Sequence, residues 1–172
     1  MHCILPRPRA DTSMLPTIAS SISTRPALDS DKPGIWRLYE EALRHHIEAI
    51  WGWHGAWQTD NFDQAFISLQ TRVVEVDGQL AGYLQVDVRE VEDYLSMLVL
   101  APAYRSLGIG ARLLSETQAD SRSKARGLHL RVFRTNANAR RFYERNGWEV
   151  VADEGDFISM RPVADRARPE ND

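Results

Sequence analysis

One short segment constrains this chain more than any other: an apolar run at 95–100 followed by Pro102–Ala111. The run predicts a buried strand, and the residues after Gly108 predict a helix. Glycine has no β-carbon, so the backbone at Gly108 and Gly110 can bring N–H groups close to phosphate oxygens. The helix adds the positive end of its dipole, and Arg105 adds a cation. The pattern predicts a pyrophosphate cradle, although by itself it also suits an ordinary turn before a helix.

A second block downstream makes that cradle more specific. Residues 128–133 predict a buried strand, and Asn136–Arg145 predicts a helix that ends at Gly147. Together, over roughly residues 20–163, the two blocks resemble the acetyl-CoA signature of the GNAT superfamily of N-acetyltransferases. The residues that carry the resemblance are Arg105-x-x-Gly108-x-Gly110, Asn136-x-x-Ala139-x-x-x-Tyr143 and Gly147-Trp148.

The resemblance implies a mixed α/β fold, with a mostly antiparallel sheet of six or seven strands and about four helices. It also implies that the strands at 95–100 and 128–133 separate at their ends, so that the pantetheine arm of acetyl-CoA pairs with strand backbone between them. Ser106 and Leu107 stand where many members have basic or glycine residues, but backbone amides perform the binding there. The residues implied to bind acetyl-CoA are Leu98, Val99, Leu100, Arg105, Ser106, Leu107, Gly108, Ile109, Gly110, Ala111, Asn136 and Tyr143.

Two of these residues have competing roles. The resemblance implies that Tyr143 is the general acid that protonates the departing thiolate, whereas its helical spacing with Ala139 and Phe142 predicts core packing. Asn136 is implied to contact the cofactor, and asparagine also suits the N-cap of the same helix. Both roles can hold for Asn136.

The general base is not evident from the sequence. Met97 stands where many superfamily members place an acidic residue. His46 lies on the apolar stripe of the first helix, and an imidazole can titrate near neutrality. Deprotonation through water would need no dedicated side chain. The candidate bases are Glu41, His45, His46, His54, Glu92 and Asp93.

A tryptophan-rich segment follows the first helix. Trp51, Trp53 and Trp57 offer large rigid faces that could wall an acceptor pocket for an aromatic or cationic amine. A hydrophobic plug against the sheet explains the same residues equally well.

Composition favours a single enzyme domain and excludes several other classes. The chain has 172 residues and a net charge of −3, which gives no basic field for nucleic acid. No apolar run approaches the roughly 20 residues that span a membrane. Cys3 is the one cysteine, so a disulfide framework and a cysteine metal site are not expected, and a cytoplasmic location is. We expect a disordered extension at 1–19, the acetyltransferase domain at 20–164 and a frayed tail at 165–172.

Periodicity predicts the order of the elements. A strand at 22–25 precedes a long amphipathic helix, for which Asp31 suits the N-cap and Pro33 the first turn. Asp77-Gly78 predicts a type I′ hairpin between two strands. A third strand, a helix over 109 to about 126, the strand and helix of the second block, and two final strands complete the pattern.

The leading hypothesis is an acetyl-CoA-dependent N-acetyltransferase that needs no metal, with direct attack by a primary amine in a ternary complex. The acceptor is a small-molecule amine or a protein amine, and a homodimer is possible. The alternative is a non-catalytic CoA-binding sensor of the same fold, which the apolar Met97 keeps open. A Rossmann-like nucleotide binder is disfavoured, because the glycine loop follows an antiparallel meander and does not open a βαβ unit.

Overall fold

A computed structural model describes residues 21–163. The predictions for 1–19 and 165–172 lie outside the described residues. None of the helices in the described part is long and apolar enough to cross a membrane. Two short 3-10 turns occur at Asp29–Asp31 and Pro102–Tyr104. The main elements are β1 (Ile22–Pro26), α1 (Lys32–Ile50), α2 (Gly55–Ser68), β2 (Gln70–Val76), β3 (Gln79–Asp87), β4 (Glu92–Leu100), α3 (Ile109–Ser123), β5 (Gly127–Phe133), α4 (Ala137–Arg145), β6 (Trp148–Asp153) and β7 (Phe157–Pro162).

The seven strands form one sheet in the order β1-β2-β3-β4-β5-β7-β6. Only the pairing of β4 with β5 is parallel, and every other neighbouring pair is antiparallel. The hairpin between β2 and β3 has positive φ at Asp77 (50°) and Gly78 (76°), as a type I′ turn requires. The expected mixed, mostly antiparallel sheet is confirmed.

Each face of the sheet has its own hydrophobic core, because successive strand side chains point to opposite faces. On one face Leu95 and Leu130 pack with Leu113 of α3 and Tyr143 of α4. The other core lies under α1 and α2, and its members include Ile35, Phe62, Tyr83 and Val99. The side chains of β4 therefore contribute to both cores.

Asp31 precedes α1 as predicted, but its carboxylate does not cap that helix. It accepts hydrogen bonds from the two terminal nitrogens of Arg25 at 2.7 and 2.9 Å and from the backbone N–H of Leu28 at 2.8 Å. The Arg25 guanidinium lowers the pKa of Asp31. Pro33 lies in the first turn, as expected. The carboxylate thus joins α1 to β1.

A buried acid explains why α3 ends at Ser123, before the predicted Arg126. Ala125 has a φ of 56°, and the N–H of Arg126 returns to the Ser121 carbonyl at 2.9 Å. This turn brings Arg126 Nε within 2.8 Å of Asp93, which also accepts the Ser121 hydroxyl at 2.7 Å. Asp93 is 1% exposed. Its contacts with Ser121 and Arg126 connect the end of α3 to the start of β4.

Gly82 allows β3 to approach β4 closely, and we predict that Gly82→Ala destabilises the fold. A β-carbon there would collide with the Val99 carbonyl oxygen and approach Leu100 Cδ2 to 2.7 Å. Since backbone cannot move aside freely, the free energy of unfolding should fall by about 1–3 kcal/mol. Urea denaturation measures the change.

Gly55→Ala is the matched control for this prediction. A β-carbon at Gly55 would meet Trp53 Nε1 at an ordinary 3.9 Å, at the first residue of α2. Its free energy of unfolding should stay within about 0.5 kcal/mol of the parent. Equal stability of the two variants would contradict the role assigned to Gly82.

Candidate active site

A gap between β4 and β5 is the central feature of the site. The two strands pair in parallel only from Glu92 with Gly127 to Leu95 with Leu130. Beyond that point β4 continues along β3 to Leu100, while β5 continues along β7. The strands therefore separate, as the resemblance implied.

The backbone of β4 presents two residues to the gap. The Ala101 N–H donates to the Ala81 carbonyl at 2.8 Å, and Val99 lies opposite Tyr83 in the same register. Because antiparallel pairs alternate, Val99 bonds to β3 while the amides of its neighbours Leu98 and Leu100 face away from it. Of the three predicted strand residues, Leu98 and Leu100 therefore direct backbone groups toward the gap, although the Leu100 carbonyl accepts a hydrogen bond from Arg105 Nε.

The loop after β4 has the conformation of an anion cradle. Ser106 has a φ of 59° and Gly108 a φ of 79°, and α3 begins at Ile109. A left-handed non-glycine residue costs about 1–2 kcal/mol, and such strain concentrates at functional sites. Leu107 lies between the two and is 66% exposed. The loop thus places open backbone at the N-terminus of α3.

Arg105 and Gly110, both predicted to bind the cofactor, also have structural contacts in the protein. Arg105 Nε donates to the Leu100 carbonyl at 2.8 Å, which secures the loop to the end of β4. Gly110 lies within α3, where a β-carbon would meet the Phe142 ring at 3.2 Å. Its small size therefore allows α3 to pack against α4, while Gly108 provides the positive φ. Ala111, the next residue of α3, is half-buried.

Tyr143 lies on α4 in the core beneath the gap. Its ring contacts Phe142 and Trp148, with centroids 5.1 and 5.7 Å apart, and the residue is 8% exposed. Burial raises the pKa of Tyr143 above its ordinary value, and Tyr94 raises it further. The phenol therefore stays protonated at neutral pH, as a proton donor must. The packing role expected from its spacing is confirmed.

Asn136 is the N-cap of α4. Its side-chain oxygen accepts the Ala139 N–H at 3.0 Å, so the capping role is confirmed. The amide nitrogen of the same side chain remains the group that would meet a cofactor.

The three tryptophans do not act as one wall. Trp53 packs against Trp36 and Tyr39 in the core under α1, with ring centroids 6.3 and 6.4 Å apart. Trp57 is 59% exposed on α2. Trp51 lies against the ends of β5 and β7, and its Nε1–H donates to Asp156 at 3.0 Å. Trp53 is thus part of a hydrophobic plug against the sheet. Of the three tryptophans, only Trp51 packs on the strand ends that lie beside the gap.

A set of aromatic rings covers the end of β5 on the α1 face, and we call it the ring cluster: His46, Trp51, Phe133 and Phe157. Phe133 and Phe157 stack at 4.9 Å, and Trp51 meets Phe133 at 5.8 Å. The His46 ring stacks on Phe133 at 5.8 Å, and its Nδ1 lies 2.8 Å from the Thr135 hydroxyl. Neither phenylalanine was predicted for the site, although Phe133 ends a strand that borders the gap.

The candidate bases differ in burial and in their partners in the structure. The Asp93 carboxylate is buried on the α3 face in the junction described above, and Glu92 pairs with Arg161 at 2.8 Å. Glu41, His45 and His54 are exposed on α1 or just before α2. His46 is the candidate that packs beside the gap.

A second group of side chains, which was not predicted from the sequence, lies at the base of the gap. Tyr94 and His129 are direct partners in the short parallel pairing, with ring centroids 4.9 Å apart, and the Arg131 guanidinium lies 5.9 Å from the Tyr94 ring. His129 Nδ1 is 3.3 Å from Glu92, and burial lowers the pKa of the imidazole. Strand alternation places Tyr94 on the face of the sheet opposite to the buried Leu95, and this pattern in the sequence could have revealed the group.

Within residues 21–163, no group of three or more His, Cys, Asp or Glu side chains is placed to hold a metal ion. One cleft of about 370 Å³ lies between α3 and the first strands, away from the gap. Its charged side chains pair within the protein, for example Asp120 with Lys124 at 2.7 Å.

Comparison with known proteins places this geometry in context. Residues 67–150 match the acetyltransferase (GNAT) domain family. A 5-NmdU N-acetyltransferase of Pseudomonas phage PaMx11 is 32% identical over 83 residues, which cover 47% of this chain and 58% of the phage protein. The match therefore spans little more than half the length of that relative.

Solved structures share the fold at low sequence identity. The PaiA N-acetyltransferase of Thermoplasma acidophilum, in complex with coenzyme A, superposes with a TM-score of 0.68 at 20% identity, covering 83% of this chain and 98% of that one. A GNAT family acetyltransferase of Elizabethkingia anophelis with acetyl-CoA bound superposes with a TM-score of 0.63 at 13% sequence identity, covering 82% of this chain and 97% of that one.

The raised pKa of Tyr143 leads to a prediction about alkaline stability. Above about pH 10 an unfolded tyrosine loses its proton while the buried phenol keeps it, so native stability falls as pH rises toward the folded value. Tyr143→Phe removes this contribution. Relative to the parent, the variant should gain up to about 1.4 kcal/mol per pH unit above pH 10.

Urea denaturation of both proteins from about pH 8 to 11 measures the difference. Tyr39 and Tyr83, whose pKa values burial also raises, are present in both proteins and cancel. Stability curves that stay parallel throughout would show that Tyr143 does not titrate as a buried phenol.

Proposed function

Since residues 67–150 match the acetyltransferase (GNAT) domain family, we propose that the chain is an acetyl-CoA-dependent N-acetyltransferase that acts on a primary amine in a ternary complex. The observation that carries the proposal is the gap between β4 and β5, open at the same end as the left-handed loop before α3. A strand edge and an anion cradle at one end of a sheet suit a ligand that has both amides and a pyrophosphate.

The residues present fit acetyl-CoA. The backbone N–H groups of Ser106–Ala111 would receive the pyrophosphate, and nothing lies within 4 Å of the β-carbon position at Gly108. Leu98 and Leu100 would pair with the pantetheine amides, and the side-chain nitrogen of Asn136 would add a polar contact. When bound, acetyl-CoA supplies an acetyl group activated as a thioester.

The reaction is aminolysis. The amine lone pair attacks the carbonyl carbon, a C–N bond forms and the C–S bond breaks. The Leu98 N–H faces the gap and would stabilise negative charge on the carbonyl oxygen, a contribution of about 3 kcal/mol for one preorganised donor. Tyr143 donates its phenolic proton to the leaving sulfur, and burial, which raises its pKa, keeps the phenol in the protonated form that a general acid needs.

The acceptor is proposed only as a class. The phage relative is named as an N-acetyltransferase of 5-NmdU, which supports transfer to nitrogen. A small-molecule amine or a protein amine would serve this chain, and its net charge of −3 favours a cationic acceptor. We propose neither a nucleic acid nor a membrane as partner.

A CoA-binding sensor without turnover is the second candidate. The observation in its favour is Met97, which borders the gap and packs in the apolar core under α1. Such a protein would bind CoA yet lack any group that acts on the thioester.

Thermal unfolding with acetyl-CoA, CoA and ATP in parallel tests the proposal. Both CoA species should raise the Tm and ATP should not, since ligands that bind only the native state stabilise it. Thiol release across a panel of primary amines then identifies the acceptor class. Stabilisation without release from any amine would favour the sensor, and no stabilisation by either CoA species would overturn both candidates.

Tyr143→Phe should lower kcat by about 10²-fold, since general acids typically contribute at least that factor, while affinity for CoA stays unchanged. Steady-state thiol release measures kcat, and calorimetry measures the affinity. Tyr83→Phe is the matched control, because it removes a buried hydroxyl without a hydrogen-bond partner from the opposite face of the sheet. If both variants keep the parental kcat, Tyr143 is only a packing residue.

A further inference from the structure

The ring cluster lies where an acceptor amine would reach the gap. Met97 of β4 and Phe133 of β5 come from the two strands that border the gap, and both pack in the core beneath α1. His46, on the last turns of α1, stacks on Phe133 with an interplanar angle of 21°. An imidazole therefore stands beside the gap on the face opposite Tyr143.

The environment of the His46 ring leaves one nitrogen available. Its Nδ1 is engaged with the Thr135 hydroxyl at 2.8 Å. When Nδ1–H donates to that oxygen, the lone pair of Nε2 is free to accept a proton. Thr135 lies two residues after Phe133, so the element that supports the ring also orients it.

From this placement we infer that His46 is the general base that takes the proton from the attacking amine, and that the ring cluster is the surface on which the acceptor sits. The inference rests on the proposed N-acetyltransferase function. It assigns acid and base to opposite faces of the gap, with Tyr143 on the α4 face and His46 on the α1 face.

The protons balance in this scheme. As the C–N bond forms, the nitrogen becomes positively charged, and its proton passes to His46 Nε2. The C–S bond breaks, and the sulfur receives the phenolic proton of Tyr143. Exchange with water then returns a proton to Tyr143 and removes one from His46, so the net products are the N-acetylated amine and CoA thiol.

Burial and a neighbouring histidine favour the neutral form of the His46 imidazole. Burial lowers the pKa of the imidazole, and the neighbouring His45, whose ring centroid is 5.4 Å away, lowers it further. The other charged groups near the ring cluster are already engaged: Asp156 accepts from Trp51, Arg134 pairs with Asp153, and Arg131, whose guanidinium lies 4.7 Å from the centre of the Phe157 ring, pairs with Glu154 at 3.4 Å. A neutral imidazole at neutral pH is in the form that a base requires.

The rings also indicate the kind of acceptor. Trp51 is 47% exposed, and its indole is held by Asp156 on one side and by Phe133 and Phe157 on the other. Flat, partly exposed aromatic surface suits an amine borne on an aromatic ring. The cluster thus favours arylalkyl amines such as 2-phenylethylamine over alkyl amines of the same length.

The test compares the pH dependence of kcat/KM for His46→Gln and His45→Gln, with 2-phenylethylamine and 2-cyclohexylethylamine within a wider amine panel. With kcat/KM calculated on the concentration of neutral amine, the parent should lose activity toward low pH with a midpoint below the ordinary imidazole value of about 6.5, and we call this fall the acid limb. His46→Gln should lose that limb and fall about 10²-fold in kcat/KM. His45→Gln should keep the limb, shifted upward because a positive neighbour is gone.

Two further measurements separate a catalytic role from a structural one. NMR titration of the His46 imidazole in the CoA complex should give a pKa equal to the midpoint of the acid limb. Thr135→Val should lower kcat with little change in CoA affinity, because the ring loses its orienting partner. Unfolding midpoints of the variants confirm that they fold.

The outcomes distinguish the two proposals. A parent protein that releases no thiol with any amine defeats the N-acetyltransferase proposal and this inference with it. An active parent whose His46→Gln variant keeps the acid limb overturns only the assignment of the base. Equal kcat/KM for the aromatic amine and its cyclohexyl counterpart overturns the ring cluster as the acceptor surface.

Discussion

The parting of β4 and β5 after Leu95 and Leu130 is the constraint on which the site depends. A parallel pair that stops halfway leaves backbone N–H and C=O groups of β4 without a strand partner, and unpaired backbone inside a protein is costly. The fold supports this because β3 holds one edge of β4 and β7 holds the far edge of β5. A ligand with peptide-like amides is the natural partner for what remains.

Two hydrophobic cores give the gap two chemically different sides. The α3 and α4 face brings Tyr143 beneath the gap in an apolar setting that keeps the phenol protonated. The α1 and α2 face brings the imidazole of His46 beside it. Burial disfavours the charged form of both groups, so it raises the pKa of Tyr143, whose charged form is a phenolate, and lowers the pKa of His46, whose charged form is an imidazolium.

Local patterns predicted the elements well and side-chain roles less well. The hairpin at Asp77-Gly78 and the cap at Asn136 follow from short-range chemistry and are confirmed. Asp31 has the sequence position of a cap, but Arg25 of β1 binds its carboxylate instead. Gly110 lies in the predicted motif for a packing reason, contact with Phe142, that no local pattern reveals.

The sequence by itself determined the order of strands and helices, the left-handed loop before α3 and the signature residues from Arg105 to Tyr143, since each depends on neighbours close along the chain. Tertiary structure alone decided which histidine lies beside the gap. It also decided that buried Asp93 connects β4 to α3, and that the rings of Phe133 and Phe157 pack with Trp51. These groups meet across long stretches of chain, and sheet register and helix packing set their distances.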